Sequence, residues 1–407
     1  MISDKERQIL RNLAGKMAEY AALPEMEVRR NEWRNFNDLK PSTPKILCSP
    51  EGGWEDIYNV DLSLDCEDPL ARSIENTMRR ALYVYEVIKD DHAIESEFFI
   101  GWDVSNTGYG VQFADRHKTD ARGSYQVTAC IDDLERDFHL LKHREYTVDK
   151  QATYDRQTLL DSIFGDLLPV AIRDKSDCMF GITKDVIDII GLENLFVYMY
   201  DQPDALKALI KFMTDDYMNA ALWYEKNGLI TRCNQNEYVG SGGQAYTNDL
   251  PSVEGSATLK QSWGGVESQE TVGISPDMYK EFVHDIVKPC YDLYGLNCYG
   301  CCEPVSDKME YIMSIPNIRR VSVSAWCDKE IAAHHLAGKA VYSAKPNPSL
   351  VCSIFDENAI RKDIRETLDI AKNCNVELIL KDTHTVQNQP WRFAKWVEIV
   401  REEIAKS

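Results

Sequence analysis

Thiols, carboxylates and one imidazole recur in short phrases that each follow an apolar run, and these phrases are where the chain could do chemistry. Residues 298–303 read Cys298-Tyr299-Gly300-Cys301-Cys302-Glu303, and residues 381–385 read Lys381-Asp382-Thr383-His384-Thr385. Residues 234–237 read Asn234-Gln235-Asn236-Glu237, and Glu267 and Glu270 precede Ser275-Pro276. A mixture of Cys, His and Asp/Glu is the donor set that zinc uses. Consecutive side chains of a strand point to opposite faces, so Cys301 is expected to face inward in preference to Cys302. Cys298 and Cys301 have the spacing of a zinc ribbon pair, but a single pair reads equally well as buried strand cysteines. His384 reads as a ligand, a general acid/base or a hydrogen-bonded structural histidine. Glu270 reads as a ligand or base, or as an acid at a helix start, the reading that Glu267 favours. Cys233, Cys290, Cys327 and Cys374 read as core, and His92, His117, His139 and His143 as solvated positions.

Around these groups stand Asn236 and Gln269, which could orient a hydroxyl or ether oxygen, and the aromatics Trp102, Tyr109, Tyr238, Tyr246, Trp263 and Trp326. Aromatic walls with a few polar groups are what small-molecule sites use, and barrel-mouth packing is the alternative for each ring.

The elements that must position them alternate. Residues 44–48, 97–102, 177–182, 229–234, 296–301, 320–325, 340–344 and 376–381 read as strands. Amphipathic helical patterns over 204–224, 276–294 and 356–374 lie between the later ones. That rhythm predicts a parallel sheet with crossover helices, and eight strands predict a single α/β domain closed as a (β/α)8 TIM barrel. Residues 1–43 are expected to form an N-terminal helical extension and 44–407 the barrel, with a charged insertion around 104–150 that covers its mouth. The Gly- and Ser-rich stretch 240–265 is expected to be a long loop on the catalytic face.

A formal net charge of -20 argues against nucleic-acid or anionic-membrane partners, which need a basic face. No window approaches the ~18 consecutive apolar residues of a membrane span. The first ten residues are charged and lack a secretory h-region, so the twelve cysteines are expected to be reduced in a cytoplasmic protein. Neither a dinucleotide fingerprint nor a P-loop occurs.

Over roughly residues 150–400 the order and spacing of several phrases resemble the uroporphyrinogen decarboxylase superfamily, which includes zinc-dependent corrinoid methyltransferases. The phrases are Thr158-Leu159-Leu160, Ser275-Pro276, Tyr299-Gly300-Cys301-Cys302, Pro346-Asn347-Pro348, Lys381 to Thr385 and Pro390 to Trp396. The family's arginine-rich segment does not follow Cys48, and Ser324 or Ala325 stands where it has an Asp. The methyltransferase branch therefore fits better than the decarboxylase. The resemblance implies zinc at the positions of Tyr299, Cys301 and His384. A tyrosine is a poor zinc ligand, so Cys301 and His384 are to be completed from Glu237, Glu270, Cys302 and Cys298, with Glu237 and Cys302 taken as the metal-binding pair. Tyr299, Asp382 and Glu270 are then the catalytic groups, and Asn236, Gln269, Trp263 and Trp326 face substrate. It further implies transfer of a methyl group between a small methylated compound, such as an aryl methyl ether, and a corrinoid. No D-x-H-x-x-G signature is present, so the corrinoid (cobalamin) is expected on a separate protein docked over the barrel mouth; a homodimer is also allowed for. A metal-free lyase using Asp382, His384 and Tyr299, with Arg173, Arg232 and Lys345 as cations, and a non-catalytic binding barrel are the other readings.

Overall fold

The computed structural model describes residues 2–58, 63–113, 117–118, 125–126, 128–173, 180–231, 233–251 and 255–407. The N-terminal region is helical as expected, in two pieces. A Ser3–Glu6 capping box starts α1 (Asp4–Ala21), and Pro24 at its first turn starts α2 (Pro24–Asn37).

Eight parallel strands follow: β1 (Lys45–Cys48), β2 (Phe98–Ile100), β3 (Val170–Ile172), β4 (Trp263–Val266), β5 (Leu296–Tyr299), β6 (Ile318–Val323), β7 (Val341–Ala344) and β8 (Val376–Leu380). Six of them form one sheet in the order β1-β8-β7-β6-β5-β4, and β2 pairs with β3. Phe180 makes an isolated parallel bridge with Val266 of β4. No ladder joins β1 to β2 among the described residues. There the free edge of β1 gives its Ile46 and Cys48 N–H groups to the carboxylates of Asp91 and Asp90. A parallel α/β sheet is thus present, as a six-stranded and a two-stranded piece.

One expected strand is corrected. Residues 229–234 carry no strand among those described: the helix Pro203–Lys226 ends in a turn at 227–228, and Leu229–Thr231 run on without a ladder, with the Ile230 carbonyl accepting from the Ala257 N–H. Residues 177–179 lie outside the described residues; beyond them Phe180 makes its parallel bridge and Ile182 opens the helix Ile182–Ile190. The strands missed were β3 and β4, the latter inside the stretch read as loop. Its sequence Trp263-Gly264-Gly265-Val266 has two glycines and no alternation. Gly264 is required because a Cβ there would meet the Tyr294 ring at 2.1 Å.

Alternation along the strands separates two cores. Tyr299, Val321, Val323, Tyr342, Leu378 and Leu380 face the surrounding helices. On the other face lie Cys298, Arg320, Glu377 and Ile379, against the buried residues 239–247, which with the exposed Tyr238 carry the short hairpin Tyr238–Val239/Gly243–Gln244. Arg320 donates to Glu377 at 2.8 Å and to Asn37 of α2 at 2.7 Å, and Asn37 donates to the carbonyls of Gln244 and Tyr246. The helical extension thereby anchors the interior face rather than standing apart from the sheet. The 104–150 insertion closes at its base through the antiparallel pair Val104–Asn106/Tyr146–Val148. It packs on the helices Ile182–Ile190 and Pro203–Lys226 through Tyr109–Asp185 and Arg144–Asp216.

Candidate functional site

The ends of β5 and β8 carry the reactive groups, and buried hydrogen bonds set the two turns there. After β5, Gly300 takes a φ of +85°, and the Glu303 carboxylate accepts from the backbone N–H of Cys301 at 2.8 Å and of Ser268 at 3.1 Å. After β8, Lys381 continues the inward phase of Glu377 and Ile379. Asp382 then turns at a φ of +58°, with its N–H donating to Glu51. From the interior, the run Gly240-Ser241-Gly242-Gly243 brings a third piece of chain. A Cβ on Gly243 would meet the Arg320 guanidinium at 2.5 Å, so only glycine lets this backbone pass.

These pieces converge on sulfur. Cys301 Sγ lies 3.4 Å from Cys302 Sγ, 3.3 Å from Ser241 Oγ and 3.5 Å from Lys381 Nζ. Lys381 Nζ also donates to Ser241 at 2.9 Å, and Asp382 Oδ2 lies 3.2 Å from Cys302 Sγ as a second acceptor for its one proton. Donation from Cys302 does most to pull the Cys301 thiol well below its usual value. Burial opposes this, and Lys381, Ser241 and Glu267 add to the pull. The same sulfur contact drives Cys302 far up. Glu267 moves the other way. Burial first, then the charge of Cys301, push its carboxyl up to about 9, so it is protonated at neutral pH. A thiolate, an ammonium and a neutral carboxyl therefore share one corner.

The corner borders a cleft of about 620 Å³ lined by Gln269, Glu270, Cys302, Glu303 and Trp326 together with apolar side chains. Trp326 is 70% exposed there, and Glu270 accepts from Thr183 at 2.6 Å. Of the residues expected from sequence, Cys301, Cys302 and Asp382 come together, and Gln269, Glu270 and Trp326 lie along the adjoining cleft. The others stand elsewhere. His384 is exposed. Glu237 is ion-paired with Arg173 at 2.6 Å, and burial holds its carboxyl above the usual range. Asn236 accepts from the same arginine. Tyr299 is sealed among Tyr279 and Tyr291 with its hydroxyl on Ser268, and Trp263 is fully buried under Arg320. His92, expected to be solvated, is half-buried and bonded to Asp90.

No group of three or more His, Cys, Asp and Glu among the described residues is arranged to hold a metal ion, and the cation facing Cys301 is Lys381. As placed, the side chains do not fit zinc, which rests on the resemblance alone. Glu267, Lys381 and Ser241 were not singled out as site residues from sequence. The period of two along β8 would have found Lys381, since Glu377, Ile379 and Lys381 share a face.

No family model and no curated protein matches the chain. A solved structure of a methyltransferase from Methanosarcina mazei aligns over 93% of this chain and 99% of its own, with 10% identity and a TM-score of 0.47. At that similarity nothing is transferred from it. No helix among the described residues is long and apolar enough to cross a membrane.

Proposed function

We propose that this chain is a methyltransferase that moves a methyl group between a small methylated compound, such as an aryl methyl ether, and a corrinoid carried on a separate protein. The observation that supports it is the Cys301–Lys381–Glu267 corner beside the 620 Å³ cleft. Demethylation of an ether needs positive charge on the oxygen as the carbon–oxygen bond breaks. Glu267 can supply it as a proton. The bonding pair stays on oxygen, which takes the Glu267 proton, and the methyl carbon takes its new pair from the acceptor on the partner. A corrinoid, when bound, supplies cobalt as that acceptor. Lys381 then faces the carboxylate and thiolate left behind and offsets their repulsion. Trp326 and Gln269 offer a ring face and an amide to an aromatic substrate.

The test is methyl transfer from a panel of aryl methyl ethers to free reduced cobalamin, followed by the change in its absorbance. Turnover by the wild-type chain is the expected result. A folded chain that demethylates no member of the panel, with or without added zinc, contradicts the reading.

A further inference from the structure

A second cavity, of about 420 Å³, lies between the N-terminal helical layer and β2. It shares no lining residue with the cleft beside Cys302. Its walls are Trp54, Tyr85, Ile94, Phe98 and Phe99, and its size falls within the range of small-molecule sites. The charged groups at its wall are not equivalent. Glu95 is held by Arg30 and the Tyr246 hydroxyl, Glu97 by Arg173, and His92 by Asp90. Each of these charges already has a partner.

Arg80 differs. It projects from α3 (Pro69–Tyr83), stacks on the Trp54 ring with 4.9 Å between guanidinium carbon and ring centroid, and meets the Tyr58 hydroxyl. No carboxylate among the described residues pairs with it, and its Nε is buried without a hydrogen-bond partner. A buried donor left unmade costs free energy that a ligand acceptor recovers. A guanidinium set over an indole still has N–H groups to give beyond its bond to Tyr58, and a guanidinium matches a carboxylate in charge-assisted hydrogen bonds.

We propose that this cavity is a binding site for a small aromatic carboxylate, its ring among Trp54, Phe98 and Phe99 and its carboxylate on Arg80. The site is separate from the Cys301 corner and does not depend on the function proposed for that corner.

Calorimetric titration of the full chain with benzoate tests it, with methyl benzoate as the neutral control. Saturable benzoate binding is expected, with methyl benzoate at least about tenfold weaker because the charge-assisted pair is lost. Arg80→Met is expected to weaken benzoate to the same degree, while Cys301→Ala leaves it unchanged. Should Arg80→Met fail to fold, Thr77→Trp, at an exposed position on the cavity rim, fills the opening and is expected to abolish binding. No saturable binding overturns the proposal. So does equal binding of the ester, or benzoate affinity unmoved by the cavity variant but lost with Cys301→Ala.

Discussion

After the hydrogen bond with Cys302, Lys381 is the next group that holds Cys301 as a thiolate. Its ammonium is 3.5 Å from the sulfur, and the sulfur's charge in turn holds Lys381 protonated against the cost of burial. Removing the charge with Lys381→Met raises the thiol pKa, so less thiolate is present at any pH below it. Alkylation of Cys301 by iodoacetamide at pH 6, followed by peptide mass spectrometry, is expected to slow roughly twofold, since a rise of one pKa unit from about 5 takes the thiolate from about nine-tenths to about half. An unchanged rate would show that Cys302 and Ser241 suffice. Glu267 gives a second dependence, with the opposite sign. It is raised to about 9 and acts as an acid, so its contribution is complete well below that pH and lost as pH rises through it. The rate of methyl transfer is therefore expected to fall on the alkaline side near pH 9, and Glu267→Gln to remove that limb. Sequence alone displays the Cys301-Cys302 pair and Asp382, because such residues are conspicuous after apolar runs. It hides the proton on Glu267, which depends on burial against a neighbour distant in sequence.

At the scale of elements, the interior face depends on one buried ion pair and one amide. Arg320 and Glu377 are both essentially unexposed. Replacing only one partner leaves a charge uncompensated, so Glu377→Gln is expected to cost about 3–5 kcal/mol in urea unfolding. Asn37→Ala deletes two donations to residues 244 and 246 and an acceptance from Arg320, with an expected loss of about 1–3 kcal/mol. If both variants unfold like the wild type, α2 does not anchor the 238–247 segment. Most strands were legible because β1 and β5–β8 are short apolar runs between punctuated helices. β3 and β4 were not. Three residues, and a strand with two glycines, carry too little pattern, and their place is set by neighbours such as Tyr294.

Over the whole molecule, the division into an extension and a barrel does not describe how the core is shared. Leu10, Ala14, Met26, Trp33 and Phe36 of α1 and α2 belong to one apolar cluster with Leu47, Phe98, Val341 and Ile379 of the sheets. A chain lacking residues 1–43 is expected to lose near-ultraviolet circular dichroism and to bind a hydrophobic dye; native spectra in that truncation would establish two independent units. Periodicity showed that residues 1–40 are helical, but it could not show what their apolar face covers. In the proposed reaction a protonated Glu267 beside the Cys301 thiolate drives demethylation. The most direct measurement is the single-turnover rate of methyl transfer from an aryl methyl ether to reduced cobalamin at pH 7, for wild type and Glu267→Gln. A loss of about a hundredfold or more, with the fold intact, is the result expected for a general acid; equal rates in the two proteins would contradict it.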